Sequence, residues 1–333
     1  MRLSGIVLPL PALRDRGSFL SAHGIMFHHF FGGRHARGQG AISADQLEAI
    51  LAHLGRDRVL PAHEWLRRAL AGSLGENDLC LTFDDALKCQ YDIAVPVLKR
   101  LNLTAFWFVY SGVFQGRPEV LEIYRHFRMT EFSDLADFYA EFSGAARTLF
   151  PQDYAAAMDG FDARTYLAAY PFYTESDRIF RYLRDDVLGA ERYQDVISGL
   201  MRRKNFDPQA ASTGLWMSDD EIRELDLGGH IIGLHSFSHP TRLAELDPAA
   251  QRAEYRQNFD HLLAVLGKPP TSMSHPCNSY SRETFSILQG MGIKLGFRSN
   301  MAVLERPTMY EFPREDQANL IRAIQEKSAA FSG

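Results

Sequence analysis

Leu79-Cys80-Leu81-Thr82-Phe83-Asp84-Asp85 is an apolar run of strand length that ends in two adjacent carboxylates. The turn Gly75-Glu76-Asn77-Asp78 precedes it, and a helical pattern over 91–101, ended by Asn102, follows. Residues 104–110 are β-branched and aromatic and read as the next strand. Upstream, Gly24-Ile25-Met26-Phe27 reads as a buried strand. Ser43 caps a helix over Ala44–Leu54 with Leu47, Ile50, Leu51 and Leu54 on one face. Pro61 opens another, with Trp65, Leu66 and Leu70 inward. Short apolar strands alternating with amphipathic helices predict an α/β fold with a parallel sheet or barrel.

The rhythm stops near Pro118. From 118 to 214 the chain is helical and strand-poor. Phe132, Leu135, Phe138, Tyr139 and Phe142 make one amphipathic face, and Thr174-Glu175-Ser176-Asp177 starts a further helix bearing Ile179, Phe180, Leu183 and Val187. This stretch reads as an inserted helical subdomain. Most of its aromatics, Tyr170, Phe172 and Tyr173 among them, belong to its own core on this reading, with some left to stack on a sugar. The alternation resumes with a helix over 219–225, a strand over 230–234, a helix over Pro248–Leu266 and a strand over 271–274. A helix over 282–289 and strands over 293–297 and 309–312 complete it. The organisation expected is a peripheral segment 1–23, a barrel from 24–117 and 215–333, and the insertion 118–214.

Composition narrows the function. With 36 basic and 41 acidic residues the net charge is −5, which gives no footprint for nucleic acid. Three cysteines, Cys80, Cys89 and Cys277, are too few for a disulfide framework or a cysteine-rich zinc cluster and fit a reducing compartment. No apolar run reaches the roughly 18–20 residues of a membrane helix. The N-terminal Met1-Arg2-Leu3-Ser4-Gly5-Ile6-Val7-Leu8 superficially resembles a signal peptide, but Pro9 and Pro11 break it and Arg14-Asp15-Arg16 follows. The expectation is a cytoplasmic protein without an integral membrane segment; its oligomeric state is left open.

Ionisable residues cluster directly after apolar strands: His28-His29, Asp84-Asp85, His235 to His239, His275-Pro276-Cys277 and Arg314. In parallel barrels such strand ends converge on the active site. Two adjacent carboxylates call for a cation or a shared proton, although a helix N-terminus would also favour them. His235 and His239 face the same way if their segment makes a helical turn, and two imidazoles with one carboxylate make an open metal site.

These segments resemble a known family. Leu81-Thr82-Phe83-Asp84-Asp85 and Gly233-Leu234-His235-Ser236-Phe237-Ser238-His239-Pro240 are similar to the first two motifs of the polysaccharide deacetylases, carbohydrate esterase family 4 with the NodB homology domain. Gly24-Ile25-Met26-Phe27-His28 resembles the family's opening strand. Met217-Ser218-Asp219-Asp220-Glu221-Ile222-Arg223-Glu224-Leu225 resembles its helix before the histidine strand, and Ser274-His275-Pro276-Cys277-Asn278-Ser279-Tyr280 sits where many members carry Tyr-Pro-Tyr-Gly. The resemblance covers roughly 24–117 and 215–320.

It implies a distorted (β/α) barrel and a divalent metal ion, most often Zn2+. Asp85, His235 and His239 would be the ligands, and Asp84 the general base on water at the metal. The backbone N–H of Cys277 would hold the oxyanion, with His275, Pro276 and Cys277 lining the substrate. A nucleophilic Cys277 is the rival reading. Three departures stand out. Ala86 replaces the usual Gly. The Arg that often precedes the third motif's Pro is absent, so Arg314 is the candidate to orient Asp84, against a surface ion pair. No histidine follows His275, so the general acid would be His28, with His275 as the alternative. The activity implied is removal of an N-acetyl or N-formyl group from an amino sugar in surface-glycan biosynthesis. That sugar would be free, nucleotide-linked, lipid-linked or at a glycan chain end. The alternatives are an O-acetyl esterase or cyclic-amide hydrolase of the same fold, and a non-catalytic glycan-binding protein.

Overall fold

The computed structural model describes residues 22–117, 119–167 and 173–331. The readings on residues 1–21, Pro118, Tyr170 and Phe172 lie outside them. The chain divides into two compact units, one of Met1–Glu119 with Gly214–Gly333 and one of Val120–Thr213.

The first unit is built on seven strands: β1 (His23–Phe27), β2 (Leu79–Asp84), β3 (Phe106–Val109), β4 (Ile231–Leu234), β5 (Ser272–Ser274), β6 (Leu295–Phe297) and β7 (Arg314–Asp316). Every paired neighbour is parallel, in the order β6-β5-β4-β3-β2-β1-β7. The sheet then closes on itself. The segment leading into β7 bonds to β6, through Gly296 N–H to the Met309 oxygen at 2.8 Å and Phe312 N–H to the Gly296 oxygen at 3.0 Å. β7 itself pairs with β1. The result is the distorted (β/α) barrel expected from the motifs.

Alternation along the strands sorts the core into two layers. Cys80, Phe106, Phe108, Ile231, Leu295 and Phe297 share the barrel interior, where Trp65 packs edge-on against Phe106 and Phe312. Ile25, Phe27, Leu81, Phe83, Trp107, Ile232 and Met273 point outward under the helices. Two glycines keep the interior open. A Cβ on Gly233 would lie 2.7 Å from the Ser272 oxygen, and one on Gly24 would lie 3.1 Å from Arg314 Cγ.

Two local readings change. The final strand is Arg314–Asp316, not 309–312. A tight turn takes the earlier residues: Glu311 N–H bonds to the Thr308 oxygen, while the Glu311 carboxylate accepts from the Thr308 N–H and hydroxyl. The helix expected over 91–101 begins with a π turn, Gln90–Ala94, before Val95–Leu101.

The second unit is all helical among its described residues. Asp134 caps the helix Leu135–Leu149, and Thr174 and Asp177 form a capping box on Glu175–Tyr182. Phe138, Tyr139 and Phe142 pack with Phe180 and Tyr193 into its own core. Among the described residues, no helix is long and apolar enough to cross a membrane.

His230, just before β4, is buried with its Nδ1 accepting the Ala105 N–H at 3.0 Å and its ring edge-on to Trp107. Burial lowers its pKa from 6.5 to about 4. The folded state therefore holds the neutral ring, and the stability it confers is complete above pH 6.5 and lost as pH falls toward 4. Between pH 6.5 and 5 the wild type is expected to lose about 2 kcal/mol more than His230→Gln. Denaturant melts of both proteins across that range check it; parallel pH dependences would contradict it.

Candidate metal centre

β2 brings two neighbouring carboxylates to one place by a break in the backbone. Successive strand residues normally face opposite sides. Asp85 and Ala86 instead take left-handed conformations, with φ of 78° and 53°, and Asp85 N–H still bonds to the Phe108 oxygen of β3. The break turns Asp85 back toward the pocket that Asp84 already faces. Ala86 thus occupies a position where glycine would cost less.

The histidine segment is not a helical turn. Residues 237–238 form a bend, flanked by Ser236 at φ 65° and His239 at φ 55°. Side chains of the helix Pro248–Leu266 hold that shape. Asn258 Oδ1 accepts the His235 N–H, and Glu254 accepts the N–H of Phe237 and of Ser238 together with the Ser238 hydroxyl. The two rings end 4.9 Å apart between centroids.

Asp85, His235 and His239 then offer three ligand atoms within 4.8 Å of one another. Asp85 Oδ1 lies 3.4 Å from His235 Nε2 and 3.6 Å from His239 Nε2, yet it is buried without a hydrogen bond. An orphaned carboxylate oxygen facing two imidazole nitrogens is a donor set suited to a divalent cation. The electrostatics agree. Burial opposes ionisation of Asp85, but the surrounding imidazoles of His235, His239 and His28 outweigh it and hold the carboxyl well below its usual range. Burial pulls His235 down, but Asp84 and Asp85 outweigh it and raise its pKa, whereas burial lowers His239 to about 4.

Asp84 has a different environment. Arg314 donates to both its oxygens, each at 2.7 Å, and both residues are buried. Burial disfavours the charge on Asp84, but Arg314, then His235 and His28, keep it ionised. Arg314 does not follow a strand, as the sequence suggested; it opens β7, level with Gly24 of β1. Its side chain runs through the barrel past Thr82 to reach Asp84, and the missing side chain of Gly24 gives it room.

His28 follows β1, with Nε2 3.8 Å from Asp84 Oδ2 and 4.0 Å from Asp85 Oδ2; its side chain is about a third exposed. Gln90 ties this corner together, its amide donating to the main-chain oxygens of His28 and Asp84. His275 does not join the site. It is buried, Nε2 bonds to the Tyr310 oxygen at 2.8 Å, and burial lowers its pKa to about 3. Its burial closes it off from a substrate, and Pro276 is buried beside it. Cys277 is exposed and held at φ 48°. Its N–H finds no main-chain acceptor among the described residues. Desolvation, then Asp85, Glu119 and Asp84, pushes its thiol up to about 12, which disfavours a thiolate nucleophile. Gln90, Asn258 and Glu254 were not singled out in the sequence, because nothing local distinguishes such residues from ordinary core and helix positions; Ser274 was read only as part of the third-motif segment.

Comparison with known proteins adds to this geometry. The family model described as Polysaccharide deacetylase matches residues 190–296. A chitin deacetylase from Pestalotiopsis sp is 38% identical over 71 residues, which are 21% of this chain and 24% of that protein. The chain thus spans about a quarter of the length of the curated relative it matches. The structure of IcaB from Ammonifex degensii superposes with a TM-score of 0.52 at 16% identity, over 92% of this chain and 97% of that one. A de-N-acetylase from Aggregatibacter actinomycetemcomitans gives 0.53 at 12% identity, over 91% and 99%. At these identities the two structures establish the shared fold.

The Arg314–Asp84 pair makes its own prediction. Arg314→Met strands a buried carboxylate and is expected to cost about 3–5 kcal/mol. Arg314→Met with Asp84→Asn, which removes both charges, should recover part of that loss. Urea melts decide it, and a single variant as stable as wild type would contradict a buried ion pair.

Proposed function

We infer that this chain, a member of the polysaccharide deacetylase family, is a metal-dependent hydrolase that removes an N-acyl group, acetyl or formyl, from an amino sugar. One observation carries the reading: two adjacent carboxylates in different environments, Asp85 among imidazoles and Asp84 clamped by a guanidinium. A binding protein needs no such division. Hydrolysis needs one carboxylate as ligand and one as base.

On this reading Asp85, His235 and His239 hold a divalent cation, which we assign as Zn2+ from the two-imidazole, one-carboxylate donor set. The cation supplies Lewis acidity that polarises an acyl carbonyl and makes water acidic near neutral pH. Asp84 takes the proton of the attacking water, and Arg314 keeps it ionised and aimed. The Cys277 N–H donates to the oxygen that gains charge. His28, at the exposed rim, gives a proton to the departing nitrogen, since an amine anion is too basic to leave. A cytoplasmic setting, with a nucleotide-linked or lipid-linked precursor of a surface glycan as substrate, is the location we favour, and the three free thiols accord with it.

The test is metal content and acetate release from N-acetylglucosamine oligomers. Chelation should abolish release, and added zinc should restore it. Asp85→Ala and His239→Ala should each lose the cation. Asp84→Asn should retain it and lose about 10²–10⁴-fold in rate. Wild-type turnover by Asp84→Asn would refute the assignment of roles.

His28 is separable by leaving group. His28→Gln should keep the cation and lose roughly 10²–10⁴-fold on the amide. The loss should shrink on an activated aryl ester, whose leaving group needs no proton. Equal losses on both substrates would show that His28 is not the acid.

A further inference from the structure

One serine hydroxyl touches both halves of the centre. Ser274 ends β5 and is fully buried, facing into the barrel while its neighbour Met273 faces out. Its Oγ is 2.7 Å from His235 Nδ1 and 3.3 Å from Asp84 Oδ1, and its main-chain oxygen is 3.0 Å from the same Nδ1. What each neighbour can offer fixes the protons. Asp84, paired through both oxygens with Arg314, only accepts. The hydroxyl proton therefore points to Asp84, and an oxygen lone pair faces the imidazole. A carbonyl also only accepts, so Nδ1 stands between two acceptors and carries the ring proton. In the neutral ring that leaves the lone pair on Nε2, the atom 3.4 Å from Asp85 Oδ1.

We propose that Ser274 is a positioning residue that couples the base to the metal ligand. Its hydroxyl engages Asp84 Oδ1, and its two oxygens together hold His235 in the tautomer that presents Nε2 to a cation. Oδ1 takes Ser274 and one Arg314 nitrogen, whereas Oδ2 takes only the other Arg314 nitrogen and lies 3.8 Å from His28 Nε2 and 3.9 Å from His235 Nε2. Oδ2 is then the atom that receives the proton of water. The role depends on a strand-end side chain that points inward and is small enough to sit between two larger ones.

The inference rests on the functional reading above, and zinc affinity tests it without substrate. Competition against a chelator should show Ser274→Ala binding zinc about tenfold more weakly than wild type. Its kcat should fall while KM for the N-acetylglucosamine oligomer holds, because the hydroxyl aligns the base and does not touch substrate. Ser274→Cys, with similar volume and a weaker donor, should fall between the two. Coupling is read from a cycle with Asp84→Ala: in that background the Ser274→Ala effect on zinc affinity should shrink below about threefold. Strictly additive effects overturn the proposal, as does a Ser274→Ala protein that matches wild type in both affinity and kcat. A wild type that binds no zinc overturns the functional reading and this inference together. A wild type that binds zinc equally with and without the hydroxyl overturns this inference alone.

Discussion

The buried pair between Arg314 and Asp84 is the constraint around which the barrel is arranged. A carboxylate in an interior of aromatic rings is costly to ionise, and only a well-placed partner offsets that cost. The partner comes from the strand that closes the barrel. β7 pairs with β1, while the segment before it bonds to β6. The strand that closes the barrel therefore also carries the group that keeps Asp84 ionised. Gly24 fits the same logic, since any side chain there would press on the stem of Arg314. Thr82 and Ser274 place hydroxyls along the path of the pair.

The second constraint is chain geometry at Asp85. Two carboxylates in sequence can serve one pocket only if the strand breaks between them. The left-handed pair Asp85 and Ala86 provides that break, and Ser236 and His239, also left-handed, do the same for the imidazoles. Strained backbone of this kind persists where its surroundings hold it. Here those surroundings are Glu254 and Asn258 on one side and Gln90 on the other. The loops that present the ligands are thus fixed from behind by a helix and a π turn.

Much of this could be read in the sequence, for a physical reason. Strand and helix periodicity is local, so β2, β4 and the helix Pro248–Leu266 lay close to where apolar patterning put them. The ligand types Asp85, His235 and His239 follow from their chemistry and their place after strands. Long-range geometry was not legible. Arg314 looked like a residue at a strand end, whereas it opens a strand and crosses the interior; only the register between β7 and β1 reveals that. His275 shared the strand-end pattern but turned away from the pocket, to the Tyr310 oxygen and the face of Tyr280. The last strand moved because a turn built on Thr308 and Glu311 took the residues that looked most strand-like.

Burial grades across the centre in a way that bears on the proposed chemistry. Asp84, Arg314, Ser274 and His235 are at most 2% exposed. His28, His239 and Cys277 face the opening to different degrees. The proposed proton acceptor, Asp84, therefore sits at a buried floor, where its charge is fixed by a guanidinium and not by water. The proposed donor, His28, sits at the rim, with its side chain about a third exposed. On the proposed reading, an acyl group entering such a pocket would meet the ligand cluster and Asp84 with its carbonyl carbon while its nitrogen stayed near His28 and solvent. The bulky remainder of the sugar would then stay outside, the orientation that lets a leaving amine depart without passing through the barrel.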